Sequence, residues 1–493
     1  MPSLRILPVA GDGVPQGARH RRRQEASLSL YTAICSRFLF PLHERIKGHA
    51  SLALRVRLEE SQWWSAEQLA DQRDRRLREF LVDIGQRVPY YREIFRQRGF
   101  DPQSLRSSDA LTALPLLDKP DIRANVERLK ADGHGPLTRY NTGGAGYNTG
   151  GSSGEPLIFF MGKGRKSHDV AAKWRATRWW DVDIGDSELV VWGSPVELGA
   201  QDRIRRLRDG LMRSHLLPAF EMSPANLDRF VATIRATRPA MLFGYPSSLS
   251  LIAMHAREKK VDMSSLGIKV AFVTSEKLYD EQRAVISEVF GCPVANGYGA
   301  RDAGFIAHEC PSGSLHISAE DIIVETVRPD GTRSARGEAG EIVVTHLGTA
   351  DFPFVRYRTG DVGIVGDRPC PCGRGLPVLE EVQGRTTDFV VAQDGTVMHG
   401  LALIYTVRDL PGVERFRIEQ ISIDQTVVKL VTGPAFDPAG EERIIRDFKG
   451  RLGARVDVRV ERVAAIANES SGKFRYVISR VKAGMPVQEA SRA

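Results

Sequence analysis

Asn148-Thr149-Gly150-Gly151-Ser152-Ser153-Gly154-Glu155-Pro156-Leu157 sets three glycines and three hydroxyl side chains directly before an apolar run. Glycine reaches positive φ and lets the backbone approach a ligand. Successive main-chain N–H groups form an anion nest, to which Thr149, Ser152 and Ser153 add hydroxyl donors. The stretch reads as a cradle for a polyphosphate. It lacks the lysine of the GK[ST] arrangement, so it is not the common nucleotide P-loop. A plain surface loop has a similar composition, and the segments downstream decide between the two.

Those segments are Asn296-Gly297-Tyr298-Gly299-Ala300-Arg301-Asp302-Ala303-Gly304, then Arg356-Tyr357-Arg358-Thr359-Gly360-Asp361, then Gly384-Arg385, and last Ser471-Gly472-Lys473-Phe474-Arg475. In this order, with the first loop, they resemble the adenylate-forming ligases, which include acyl-CoA synthetases, luciferases and peptide-synthetase adenylation domains. Leu58-Glu59-Glu60-Ser61-Gln62-Trp63-Trp64 and Cys370-Pro371-Cys372-Gly373-Arg374 look like the phenylacetate-CoA ligase branch and its capsule-biosynthesis relatives. The resemblance runs from about residue 58 to about residue 480.

The resemblance implies an enzyme that activates a small-molecule carboxylate with ATP and magnesium and passes the acyl group to CoA. Thr149, Gly150, Ser152, Ser153 and Gly154 would grip the phosphates, and Tyr298, between Gly297 and Gly299, would stack beside the adenine. Asp302 stands where the family has a glutamate as magnesium ligand, one methylene shorter. Asp361 would accept hydrogen bonds from the ribose hydroxyls, Arg385 would approach ribose and phosphate, and Lys473 would bridge the reacting carboxylate and α-phosphate. A mobile C-terminal domain would present Lys473 and then rotate about a hinge next to Arg385.

The hinge departs from the family pattern. Thr387 replaces its aspartate, with Asp388 one place later, and Gly395–Gly400 lacks the proline of acyl-CoA ligases. Transfer to an amine, a sugar or a carrier-protein thiol instead of CoA therefore stays open as the alternative. The string Gly150-Gly151-Ser152-Ser153-Gly154 also satisfies the G-x-S-x-G motif of α/β-hydrolases. That motif needs a strand before it and a helix after it, whereas a glycine-rich loop precedes and an apolar strand-like run follows.

Cys370 and Cys372 can aim two thiolates at one ion, and Cys310 with His316 would complete a tetrahedral Cys3His set suited to structural Zn2+. His308 competes for the fourth place. Reduced cysteines without metal are the plain alternative, since C-x-C is less specific than paired C-x-x-C motifs. Five cysteines, an odd and sparse count, do not form a disulfide framework.

With 493 residues, 42% of them hydrophobic, the chain is expected to hold more than one domain. Residues 1–27 read as a disordered leader containing Arg19-His20-Arg21-Arg22-Arg23. Residues 28–384 read as an ATP- and substrate-binding α/β domain with mainly parallel sheets, 385–485 as a small mobile α+β lid, and 486–493 as a tail. The net charge of +8 is spread among acids, so no nucleic-acid partner is expected. Arg37 breaks the most apolar early run, Leu28 to Leu42, well short of the roughly 18 residues a membrane span needs. The expected location is cytoplasmic, without stable membrane insertion, and homodimerisation is left open. Trp192, Phe243, Tyr245 and Ala300, at strand ends and beside the adenine motif, are candidates for the acid pocket, with an aromatic or other apolar acid the expected substrate.

Overall fold

The computed structural model describes residues 29–141, 157–192, 208–218, 224–385, 389–394, 397–399, 401–408, 410–467 and 475–481. A short antiparallel pair, β1 (Thr138–Asn141) and β2 (Ile158–Met161), brackets the glycine-rich stretch, which itself lies outside the described residues. The main sheet is built from β3 (Glu188–Val191), β4 (Ser214–Leu217), β5 (Met241–Gly244), β6 (Val270–Thr274), β7 (Val294–Ala300), β8 (Gly304–Glu309), β9 (Leu315–Ile317), β10 (Ile322–Val327), β11 (Ala339–His346), β12 (Tyr357–Val365) and β13 (Val378–Arg385). Their order across the sheet is β10-β11-β12-β13-β9-β8-β7-β6-β5-β3-β4.

The expected α/β class and the smaller C-terminal domain hold, but the expectation of mainly parallel sheets needs correction. Only the stretch from β4 through β3, β5 and β6 to β7 is parallel; every pairing from β7 round to β10 is antiparallel. The physical reason is connection length. Helices Pro224–Thr237, Pro246–Glu258 and Asp280–Phe290 alternate with β4 to β7 and provide the long crossovers that parallel neighbours require, whereas β7, β8 and β9 are joined by short turns that reverse the chain between antiparallel neighbours. Every residue of β5 and β6 is buried, as expected of strands covered on both faces.

The helix Ala66–Arg87 shows how local sequence sets an element. Ser65 and Gln68 form a reciprocal capping box, and Leu69, Leu77, Phe80, Leu81 and Ile84 bury one face. It stops at Val88 because Pro89 opens the next helix, Pro89–Arg98, which ends at Gly99 with φ 58°.

Beyond Arg385, β14 (Phe389–Val391) pairs with β15 (Val397–His399). A separate four-stranded sheet has the order β18-β17-β16-β19, from β16 (Val413–Ser422), β17 (Gln425–Thr432), β18 (Asp457–Arg462) and β19 (Val477–Ser479). Helix Ala439–Leu452 buries Ile444, Phe448 and Leu452, one every four residues, in that domain's own core. The domain meets the larger one where Arg408 pairs with Glu281 at 2.6 Å and Tyr476 packs edge-on against Tyr279 at 5.6 Å.

Candidate functional site

Three of the sequence segments converge where β7 ends. Its last residues turn back through Arg301-Asp302-Ala303 into antiparallel β8. The turn is so close that a Cβ on Gly299 would sit 2.3 Å from the Gly304 carbonyl oxygen, so glycine is required there. The Asp302 carboxylate is buried and accepts a hydrogen bond from the Tyr357 hydroxyl, itself buried, at 2.5 Å. Arg165 braces the same turn from helix Lys163–Arg178. Its guanidinium donates to the carbonyls of Arg301 (3.2 Å) and Asp302 (3.3 Å) and is held by both oxygens of Asp169 at 3.0 Å.

Asp361 on β12 lies directly opposite Arg385 on β13. The Tyr298 hydroxyl donates to Asp361 Oδ2 at 2.9 Å. In a flat sheet β7 and β12 would be separated by four intervals of about 4.8 Å each. The contact forms because β9 is only three residues long and pairs only with Val378 and Leu379 of β13. The far ends of β12 and β13 can therefore curl over towards β7, and Lys277 Nζ donates to the Gln383 carbonyl at 3.2 Å on the same side.

Trp192 stacks on Tyr245 with ring centroids 4.3 Å apart and lies 5.9 Å from Phe243, at the carboxyl ends of β3 and β5. Lys173 Nζ stands 4.6 Å from the centre of the Phe243 ring. Ala300 is not part of this cluster; with Tyr298 it packs against the core around Tyr357 and Phe354. Ligands of such sheets gather at the carboxyl ends of the strands, which is where the aromatic cluster sits.

A second constellation is built by two loops. Cys310 Sγ lies 3.6 Å from Cys370 Sγ, and Cys372 Sγ lies 3.2 Å from His316 Nε2. The ligand atoms of all four residues fall within 4.8 Å of one another. The edges of a tetrahedral zinc site with two sulfurs or a sulfur and a nitrogen are about 3.5 to 3.8 Å, so the four residues fit that ion. The sulfurs are too far apart for a disulfide, and all are free thiols. His316 turns Nδ1 to the Leu376 carbonyl at 3.0 Å, which directs Nε2 at the sulfurs. The hydrogen bond from Cys310, with help from His316, holds the Cys372 thiol far below its ordinary pKa, while that contact and burial push Cys310 up.

His308 is not in this cluster. It is stacked on Phe305 at 5.6 Å and lies 6.1 Å from Phe272, and burial pushes its pKa down to about 3. Another group of potential ligands, His168, Asp169 and His346, is crossed by the Arg165 guanidinium, which takes up the carboxylate a cation would need.

Residues 390–480 match the family model described as the CapK C-terminal domain. Protein CapK of Staphylococcus aureus is 23% identical over 421 residues, covering 84% of this chain and 90% of that protein. The phenylacetate-coenzyme A ligase of Thermus thermophilus is 23% identical over 455 residues, covering 84% and 96%. Over most of its length the chain is similar to adenylate-forming ligases. The similarity is to the branch of CapK and the phenylacetate-CoA ligases. Among solved structures, a 2-hydroxyisobutyryl-CoA ligase in the postadenylation state shares its fold with a TM-score of 0.65 and 20% identity, covering 82% of this chain and 88% of that one.

Thr149, Gly150, Ser152, Ser153, Gly154 and Lys473 lie outside the described residues, and the side chain of Arg385 is likewise not described. The structure brings Tyr298, Asp302, Asp361 and the backbone of Arg385 together, and Cys310, His316, Cys370 and Cys372 together. Two supporting side chains could not be found from the sequence. Tyr357 stood inside a quoted motif, but nothing in the string tells that its hydroxyl reaches Asp302. Arg165 sits among Lys163 and Lys166 at the start of a helix, a pattern that looks like a solvated basic face. The two motifs that mark the branch also meet physically: the Arg374 guanidinium is placed over the rings of Trp63 (4.8 Å) and Trp179 (4.4 Å), and Gln62 Oε1 accepts from both Arg374 and Trp179.

Proposed function

We propose that the chain activates a carboxylic acid with ATP and transfers the acyl group to CoA. In the first half-reaction a carboxylate oxygen attacks the α-phosphorus, the bond to the β-phosphate bridging oxygen breaks, and pyrophosphate leaves with its charge neutralised. In the second, the CoA sulfur attacks the acyl carbonyl and AMP departs. The observation that carries the reading is the meeting of two motifs: Tyr298 and Asp302 of the first are hydrogen-bonded to Asp361 and Tyr357 of the second. The relatives named as phenylacetate-CoA ligases support CoA as acceptor.

Within that reading Tyr298 stacks beside adenine while its hydroxyl orients Asp361 to receive the ribose hydroxyls. Magnesium, when bound, supplies charge neutralisation on the phosphates. Asp302, whose carboxylate is held by the Tyr357 hydroxyl, would be its protein ligand. The acid enters beside Trp192, Phe243 and Tyr245, and an aromatic or apolar acid suits those rings. Zinc held by Cys310, His316, Cys370 and Cys372 is structural, since four protein ligands close the tetrahedron.

The test is exchange of labelled pyrophosphate into ATP, with magnesium and a panel of carboxylic acids. Tyr298→Phe keeps the ring and loses the hydroxyl, so KM for ATP should rise about tenfold, as for a lost hydrogen bond to a charged group, with kcat little changed. An unchanged KM would remove the hydroxyl from ribose recognition. Tyr357→Phe should raise the magnesium concentration needed for half-maximal exchange several-fold. A variant with the native magnesium profile would show that Tyr357 does not position Asp302.

A further inference from the structure

The chain enters the described fold as one helical rod, Leu30–Ile34, Cys35–Leu39 and Phe40–Lys47, whose middle segment is π-helical. Its inner face, including Thr32, Cys35, Phe40 and Glu44, is buried. Its outer face is apolar. Leu30, Ile34, Phe38, Leu42 and Ile46 recur every four residues, and all are exposed, Phe38 at 68% and Ile46 at 78%. In a straight α-helix five residues at this spacing drift over roughly 160°. One wider π turn, at about 4.4 residues per turn, sets the drift back and keeps them within roughly 90°.

Tyr31 on the same rod, Val56 and the neighbouring Leu211 and Leu216 are the other large apolar side chains exposed among the described residues, so such exposure is concentrated here. Leu211 adjoins the rod, its carbonyl accepting from the Tyr31 hydroxyl at 2.7 Å and from Cys35 Sγ at 3.3 Å.

A row of this kind on a soluble body marks a contact surface, and its charged surroundings select what it contacts. Arg37, Arg45 and Lys47 project from the rod. Arg213 lies 5.6 Å over the Tyr31 ring, and Arg208 is close enough to Lys47 to help lower its pKa, after burial. The acids of this surface are already engaged: Glu44 is buried among His43, His49 and Ser51, and Asp209 is paired with Arg208. A second copy docking the same face would set these cations against their own equivalents. The leader would do so too, since residues 1–28 carry Arg5, Arg19, Arg21, Arg22 and Arg23 against Asp12 and Glu25.

We propose that this rod is a peripheral membrane anchor that lies in the interface of an anionic lipid bilayer. The apolar row would enter the boundary between headgroups and acyl chains while the flanking arginines and Lys47 meet lipid phosphates, as in-plane amphipathic helices do. Among the described residues no helix is long and apolar enough to cross a membrane, so the contact stays on one leaflet. The arginine-rich leader enters the chain directly before Ser29, the cap of the rod, and adds cations of the same sign.

The test is flotation of the full chain with vesicles of phosphatidylcholine alone and of phosphatidylcholine containing about one-third phosphatidylglycerol. The protein should float with the anionic vesicles, far less with the neutral ones, and less as salt is raised. The double variant Phe38→Glu/Leu42→Glu should bind about a hundredfold more weakly while keeping its thermal melt. Arg45→Glu/Lys47→Glu, which leaves the apolar row intact, should bind about tenfold more weakly. The proposal is overturned if the native chain stays unbound. It is equally overturned if both double variants bind like the native chain and only removal of residues 1–28 releases it, or if the native chain is a dimer that Phe38→Glu/Leu42→Glu dissociates without any vesicle binding.

Discussion

Lys473→Ala should lower acid-dependent pyrophosphate exchange by about a hundredfold or more, the largest effect expected of any single substitution in this chain. As a carboxylate oxygen closes on the α-phosphate, two negative groups share one phosphorus, and an ammonium bridging them would lower the barrier only while both are present. The segment that follows Lys473 reaches the larger domain: Tyr476 packs on Tyr279, and Ile418 N donates to the Tyr476 carbonyl at 2.8 Å, tying the segment to β16. The loss should fall on kcat rather than on KM for ATP. Transfer from supplied acyl-adenylate to CoA should survive, because in that half-reaction the acyl carbon, not phosphorus, is attacked and no second anionic group closes on the phosphate. Exchange at the native rate in the alanine variant would take Lys473 out of the mechanism.

Removing the proposed zinc should have the second largest effect, and it acts on the fold. Cys310 and Cys370 are 60 residues apart, so a shared ion closes a long loop, and its binding energy becomes folding energy. His316 lies opposite Val378 at the start of β13, the strand that ends at Arg385. Loosening the cluster should therefore be felt along the strand that reaches the nucleotide side. The protein as isolated should hold about one zinc per chain. Cys372→Ser should lose the metal and lower the melting temperature by roughly ten degrees or more, as expected when several kcal/mol of stability are removed from one domain. His316→Ala should release zinc as well, whereas His308→Ala should retain it because His308 lies among Phe305 and Phe272. Elemental analysis finding no metal in freshly purified, unchelated protein would defeat the assignment.

What could be read from the string differs by region for physical reasons. β5 and β6 are buried on both faces, so they appear as unbroken apolar runs between helical patterns, and the parallel half of the sheet was legible. The antiparallel half was not. Strands β12 and β13 carry binding motifs, so their glycines, arginines and acids break the alternation that marks a strand, and two register shifts interrupt β12 against β13. The cysteine cluster was legible as a ligand set, but the choice between His308 and His316 needed the register of β8 and β9, which puts both histidines opposite each other while only His316 faces the sulfurs. The outward row from Leu30 to Ile46 was open to inspection too. Read only for a membrane span, it gave none, and the π turn that gathers it on one side leaves no mark in the sequence.

The most direct test of the central claim is to identify the products when the purified chain is given ATP, magnesium, CoA and a panel of carboxylic acids, with chromatography of the nucleotides and mass spectrometry of the acyl products. The account predicts AMP and pyrophosphate formed only in the presence of acid, together with the matching acyl-CoA thioester. Formation of ADP and phosphate, or AMP with an acyl-adenylate that CoA leaves untouched and only an amine consumes, would contradict it.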